Sequence, residues 1–473
     1  MKNTRLIELF RVLSQSEMKR FAKYVYSPYF NTHKDTLRLF ELIKASYPDF
    51  DSEALLSENI FSRLYPKEAF DDLKIRTLRK YLLKLLLGFL GQTQVEKDSL
   101  SFELHQFEEL LARNSEKHFL HLSNQIEKRL TNRSPQNAQL LLYNYQFENL
   151  RVNYRSVFKS RWEEKGFQKA MATLDHFYLA EKLRLYCSII SEEDLFHRQN
   201  KMVFGLEEML EYCRHHFETL PILIRVYYHM VLLSQAEKES ASFLFLKQTL
   251  PVVSSEFDKY DQINIYNYLI NYCYKQYKQG EATFEHEMFI LYKAMLKNNL
   301  LFEEGMLSSN HYKNISSLGL RVGEYEWVKD FIEQYKGYIN PKYRTSVFNY
   351  NLANYYVYQQ SFEQALKHLQ KVSFIDPFYR ISHYILLLKI YFECEEVEPF
   401  LSLCVSFRSF LRRKKILSEN QRKAYLQFVK FSKAIFLIKI GQRKNNDQLL
   451  PLIQDSSNLI EKNWLKDKLG SLS

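Results

Sequence analysis

Histidine and cysteine are the side chains best suited to ligate a metal or act as nucleophiles, and the chain holds 13 and 5 of them. Only two places bring them close together. His118 and His121 stand one helical turn apart, in a polar stretch with no third ligand nearby. Cys213, His215 and His216 are near neighbours, but adjacent residues of a helix point to different faces and do not easily share a tetrahedral ion. The cysteines, Cys187, Cys213, Cys273, Cys394 and Cys404, are odd in number and show no C-x-x-C spacing. That pattern predicts reduced, buried thiols. Glu192, Glu193 and Asp194 follow Ser191 and read as a helix N-terminus, where acids suit the macrodipole. Glu303 and Glu304 precede Gly305 and read as a loop. No G-x-G-x-x-G, P-loop, H-E-x-x-H or G-x-S-x-G string occurs. The residues predict a non-catalytic protein with no metal and no cofactor.

Cations give a stronger signal. The formal net charge is +11. Between residues 408 and 444 there are 12 Lys or Arg and a single acid, Glu419, so this segment alone accounts for the excess. Arg408, Arg412, Arg413, Lys414 and Lys415 form its dense part, and Arg422, Lys423, Lys430 and Lys433 follow. Such a patch attracts phosphates or acidic macromolecules. On an amphipathic helix it also suits a solvated terminal cap or a membrane surface. A second basic group, Lys74, Arg76, Arg79, Lys80 and Lys84, invites a helix-turn-helix reading. The absence of a short Gly turn, and the acids Asp71 and Asp72 at the start of that helix, argue against it.

The elements that must carry these groups are helices. With 46% apolar and 26% charged residues the chain has the makings of a packed core. Gly and Pro number only 11 and 10, so tight turns are few. No Asn-Gly or Asp-Gly pair is present, which removes the strongest hairpin signal and predicts helix throughout. The 36 Phe and 34 Tyr read as large side chains that fill the gaps between helices. Five short helices are predicted in residues 1–91. They include one opened by a Ser14–Glu17 capping box and running to Tyr26, one over 36–46, one over 52–64, and one from Asp71-Asp72 to Leu90. Residues 92–98 are polar and read as a joint, and 98–165 as connecting helices, with Ser134-Pro135 as a helix start. From residue 166 onward amphipathic stretches alternate with breaks at Gly166, Ser191, Pro221, Pro251, Gly280, Gly305, Gly323, Pro341 and Pro377. Residues 417–473 read as basic capping helices, with a helix over 418–440 capped by Ser418.

One window shows a repeat signature. Leu352, Ala353, Tyr356, Phe362, Ala365, Leu369, Val372 and Pro377 fall at the spacing of the tetratricopeptide repeat (TPR), so residues 346–379 resemble one complete repeat. Asn349 stands where the family has Trp. Residues 309–342 resemble a looser copy through Ile315, Ser316, Tyr325, Val328 and Ile332, with Gly319 in place of a large residue. A degenerate third copy starts near Ile381 with Leu386, Leu387 and Tyr391. The whole chain is also similar to long helical proteins of Bacteroidota, a resemblance that bears on the fold alone.

The TPR resemblance implies an all-α fold: a TPR-like α-solenoid of antiparallel helix pairs over 166–416, preceded by the small helical domain. It also implies a concave groove lined by the first helix of each pair. By position, its candidates are Lys313, Ser317, Arg321, Tyr350, Asn351, Asn354 and Tyr358. Lys313 and Asn351 resemble part of a clamp that some TPR proteins close on a terminal carboxylate. Ser317 departs from its Asn, and Ile381 and Ile385 stand where basic residues are needed. The expected function is a protein- or peptide-binding scaffold, with nucleic-acid binding through 408–444 as the alternative. Charges at Glu8, Arg11, Glu17, Lys19 and Arg20 interrupt any leader core, and the apolar run 81–90 is too short to span a bilayer. A cytoplasmic location is therefore expected.

Overall fold

The computed structural model describes residues 4–132, 137–157, 164–196, 204–235, 240–373, 377–413, 417–443, 448–456 and 459–472. These residues are almost entirely helical. The chain divides into two compact units, Met1–Tyr186 with Lys201–Tyr227, and Cys187–Asn200 with Tyr228–Ser473. The helices up to the second division are α1 (Arg5–Arg11), α2 (Gln15–Tyr26), α3 (Lys34–Lys44), α4 (Ser57–Leu64), α5 (Asp72–Lys97), α6 (Ser99–Ala112), α7 (Glu116–Asn132), α8 (Ala138–Val157), α9 (Glu164–Phe196), α10 (Leu206–His215) and α11 (Ile222–Gln235).

Local chemistry sets these boundaries. At the start of α2 the Glu17 N–H donates to Ser14 Oγ at 3.3 Å, and the Ser14 N–H donates to Glu17 at 2.9 Å. This is the reciprocal capping box that the sequence predicts. At α5 the Lys74 N–H donates to Asp71. Phe10, Phe21 and Phe40 are fully buried and meet at ring separations of 5.2–6.2 Å, closing a core confined to residues 6–89. A separate core over 100–147 joins α6, α7 and α8.

Three expectations fail in the first unit and at its edge. The helix expected over 52–64 is broken: a 3-10 turn, Glu53–Leu55, precedes an extended Leu56 before α4 begins. Residues 92–97 are not a joint, because α5 runs through them and buries Thr93. Polarity marked an exposed helical face there, and the turn narrows to Asp98, which caps α6 by accepting from the Ser101 N–H. Ser191 does not break the chain, since α9 continues to Phe196, and Glu192–Asp194 lie inside a helix rather than at its start. The Ser134-Pro135 start lies outside the described residues.

The second unit continues with α12 (Ser240–Glu256), α13 (Lys259–Lys278), α14 (Thr283–Lys297), α15 (Ser309–Arg321), α16 (Tyr325–Gln334), α17 (Arg344–Tyr358), α18 (Phe362–Leu369), α19 (Pro377–Glu393), α20 (Val397–Arg413), α21 (Glu419–Lys439), α22 (Leu449–Asp455) and α23 (Lys462–Gly470). Helices pack on their sequence neighbours: α13 on α14, α15 on α16, α17 on α18, α19 on α20, α20 on α21. In addition, α15 meets α17 and α17 meets α19. Pro251 is not a break; it is carried inside α12. Helix throughout is also corrected, by a two-residue antiparallel ribbon, β1 (Phe302–Glu303) with β2 (Met306–Leu307). Its turn puts Glu304 at φ 48° and Gly305 at φ 77°. Two consecutive positive φ values suit a tight hairpin, so a Glu-Gly pair fills the role usually taken by Asn-Gly.

Gly319 is required by packing. A Cβ there would overlap Val328 Cγ2 and lie 2.9 Å from Phe289 Cε2. The missing side chain lets α15 close on both α14 and α16.

Candidate functional site

The groove candidates divide once they are placed. Asn351 is fully buried and Tyr350 and Asn354 nearly so. The Ser316 hydroxyl donates to Asn351 Oδ1 at 2.5 Å, and Asn351 Nδ2 donates to Val347 O at 2.7 Å. Asn354 Nδ2 donates to Ser317 Oγ at 3.3 Å, and the Tyr350 ring meets Tyr379 edge-on at 5.5 Å. These three side chains face a neighbouring helix, not an open groove, which corrects their assignment. The small Ser316 lets α15 come so close to α17 that the facing polar groups become a buried seam. Lys313 and Ser317 are half-buried at its margin, and Lys313 Nζ donates to Ser382 Oγ on α19 at 3.3 Å.

Arg321 and Tyr358 stand differently. Arg321, in the last turn of α15, bonds the Glu285 carboxylate on α14. The Arg321 side chain is 43% exposed. The Glu461 side chain, just before α23, is 38% exposed. Glu461 adopts φ 52° and pairs with Lys389 of α19 at 2.7 Å. Burial pushes the Glu461 carboxyl up, but Lys389 and the charge of Arg321 outweigh it and leave it below its usual range. Burial pulls the Arg321 guanidinium down, and the bond to Glu285 more than reverses this.

Two tyrosines lie near these charges. Burial, with smaller contributions from Glu285 and Glu461, raises the hydroxyls of Tyr277 on α13 and Tyr358 on α17, the latter to about 12. Tyr274 is close enough to Tyr425 on α21 to raise it as well, after burial. Side chains of α13, α14, α15, α17 and α19 therefore gather near Glu461 in the second unit. They hold two ion pairs and neutral phenols. Charge is balanced there, so the place suits a polar, partly aromatic segment better than a bare ion.

Sequence reasoning missed Tyr277, Glu285, Lys389 and Glu461. A usable signal existed for the first: Tyr277, Arg321 and Tyr358 each stand in the last turn of their helix, α13, α15 and α17. Glu461 carries no such signal, because it reaches the region from a distant part of the chain.

The basic residues are found on α20 and α21. Arg408, Arg412, Arg413, Lys423 and Lys430 are exposed, Arg422 and Lys433 are half-buried, and Lys414 and Lys415 lie outside the described residues. Lys423 pairs with Glu419 at 3.0 Å. The basic group of α5 is more compensated: Lys74 pairs with Glu68 and lies over the Tyr65 ring, and Arg76 pairs with Asp72.

Around the histidines, His118 Nδ1 and Ser115 Oγ share a hydrogen bond, His121 bonds Gln125, His215 bonds Glu211, and His216 lies against Tyr212. Cys213 is buried away from them. Among the described residues no three His, Cys, Asp or Glu side chains are placed to hold a metal ion, and no helix is long and apolar enough to cross a membrane.

No protein-family model, curated protein or solved structure matches the chain.

Proposed function

We propose that the second unit is a TPR-like array of helix pairs that binds a peptide or protein segment in the hollow lined by Tyr277, Arg321, Tyr358 and Lys389, without catalysis. The observation that carries this reading is the approach of side chains from α13, α15, α17 and α19 to Glu461. The side-by-side packing of α15, α17 and α19, with α16 and α18 as their partners, agrees with stacked repeats. Tyr and Arg are the side chains that most often anchor a bound segment, since both offer a large apolar surface with a polar tip. Already ordered helices hold them, so little entropy is lost on binding.

A photo-crosslinking residue placed at Tyr358, and separately at the outward Glu363 of α18, tests this reading in the native cell. The expected result is a discrete adduct from position 358 that Arg321→Ala weakens, and none from position 363. Equal adducts from both positions, or none from 358, overturn it.

A further inference from the structure

Eight Lys or Arg and only two acids, Glu398 and Glu419, lie on α20 and α21. On α20 the exposed residues Val405, Ser406, Arg408, Ser409, Arg412 and Arg413 follow one another with no acid after Glu398. Arg408 and Arg412 are one turn apart, on the same face. On α21 Lys423 and Lys430 are exposed and share a face, about 10 Å apart along the axis. α20 packs directly on α21, so the cations of both stand on one pair of adjoining helices. The single acid of α21, Glu419, is engaged by Lys423. Among the described residues Arg408, Arg412 and Lys430 have no carboxylate within ion-pair distance.

We infer that the outer faces of α20 and α21 bind the phosphate backbone of duplex nucleic acid. Uncompensated guanidinium groups interleaved with serine hydroxyls are donors to phosphate oxygens, which position a duplex without reading its sequence. The apolar content of the surface decides against a membrane. Val405 is the one large apolar side chain well exposed on α20, whereas interfacial insertion needs a whole apolar face. Single strands are disfavoured for a related reason: neither outer face presents an exposed aromatic ring on which bases could stack.

Fluorescence anisotropy of the full chain with a labelled 20-base-pair DNA duplex tests the inference. Expected are binding at 50 mM salt and a loss of roughly 100-fold in affinity by 200 mM, as release of about four counterions requires. Arg408→Gln/Arg412→Gln/Lys430→Gln should weaken binding at least tenfold and flatten the salt slope. Its circular dichroism and melting temperature should be unchanged, because all three side chains are exposed. Lys80→Gln/Lys84→Gln on α5 should bind as the parent does, and so should Arg321→Ala in the hollow. No duplex binding, a flat salt response, or an unaffected triple variant overturns the inference. So does tighter binding to an oligo-dT strand or to vesicles containing phosphatidylserine.

Discussion

Ser316 on α15 and Asn351 on α17 are both fully buried and joined by a 2.5 Å hydrogen bond. They form the centre of the seam along which α15 and α17 meet. Ser316→Ala leaves Asn351 Oδ1 without its donor in a dry interface, so unfolding free energy should fall by about 1–3 kcal/mol. Removing both partners, as Ser316→Ala/Asn351→Leu, should cost less than the two single changes together. A double-mutant cycle in urea measures this coupling, and strict additivity would show that the bond contributes nothing.

Gly319→Ala sets two effects against each other. Helix propensity favours Ala by about 1 kcal/mol. The added methyl overlaps Val328 and crowds Phe289, and overpacking of that kind costs about 1–3 kcal/mol. Overlap should win, so the variant should melt below the parent. Adding Val328→Ala removes the overlapping methyl and should recover part of the loss. A melting temperature at or above the parent's contradicts the close approach.

Acid should weaken the second unit in two stages. Burial, helped by Arg380, lowers His383 to about 4. Above pH 6.5 the imidazole is neutral in both folded and unfolded chains and has no effect. As pH falls from 6.5 towards 4 the unfolded chain takes up a proton that the folded chain refuses, and stability declines. After allowance for solvent screening the loss is about 2 kcal/mol. Glu461 follows at lower pH: its folded pKa is depressed, so its contribution is present above the unfolded value and disappears as pH falls through the folded one. His383→Gln should reduce the decline between pH 6.5 and 4, to which His311 and His368, also lowered by burial, contribute, and leave the later one. A melting series against pH separates the two stages.

Breaking one partner of the Lys389–Glu461 pair should be harmful and removing both less so. Lys389→Met leaves Glu461 beside Arg321 with its nearest cation gone, at a cost of about 1 kcal/mol given its partial exposure. Lys389→Met/Glu461→Gln should be closer to the parent. Equal melting of single and double variants would mean that solvent screens the pair fully.

Thiol chemistry should single out Cys394, the exposed cysteine at the end of α19. Burial and the acids Glu393 and Glu396 raise its thiol, so it should react slowly at neutral pH and faster as pH rises. Cys213, Cys273 and Cys404 are buried and should stay protected until unfolding. A Cys394→Ser chain should lose the reactive thiol in the native state.

The helical class was legible because few Gly and Pro, long amphipathic periods and sound caps such as Ser14–Glu17 and Ser418–Gln421 all agree. Helix ends were legible where a side chain closes the backbone. They were misread where polarity was taken for a break, as at residues 92–97 and Ser191, because one exposed face of a long helix is also polar. Pro251 was misread for a different reason: surrounding packing holds a helix through a residue that propensity alone would end. Arg321 and Tyr358 were singled out by their place in the TPR-like pattern, and both keep solvent-exposed side chains. Asn351 and Tyr350 were misplaced because a repeat position fixes the direction of a side chain, while the distance to the next helix depends on how small its neighbours are. Glu461 could not be read at all, since its link to Lys389 joins residues 72 apart with no shared pattern.

That link has a temporal consequence. Trp464, Leu465 and Leu469 enter the same core as α19, α20 and α21, and they bring Glu461 to Lys389. During synthesis the earlier helix pairs leave the ribosome long before these residues do. Their assembly can begin at once, but Lys389 waits for its carboxylate until the chain past position 461 has emerged and folded back.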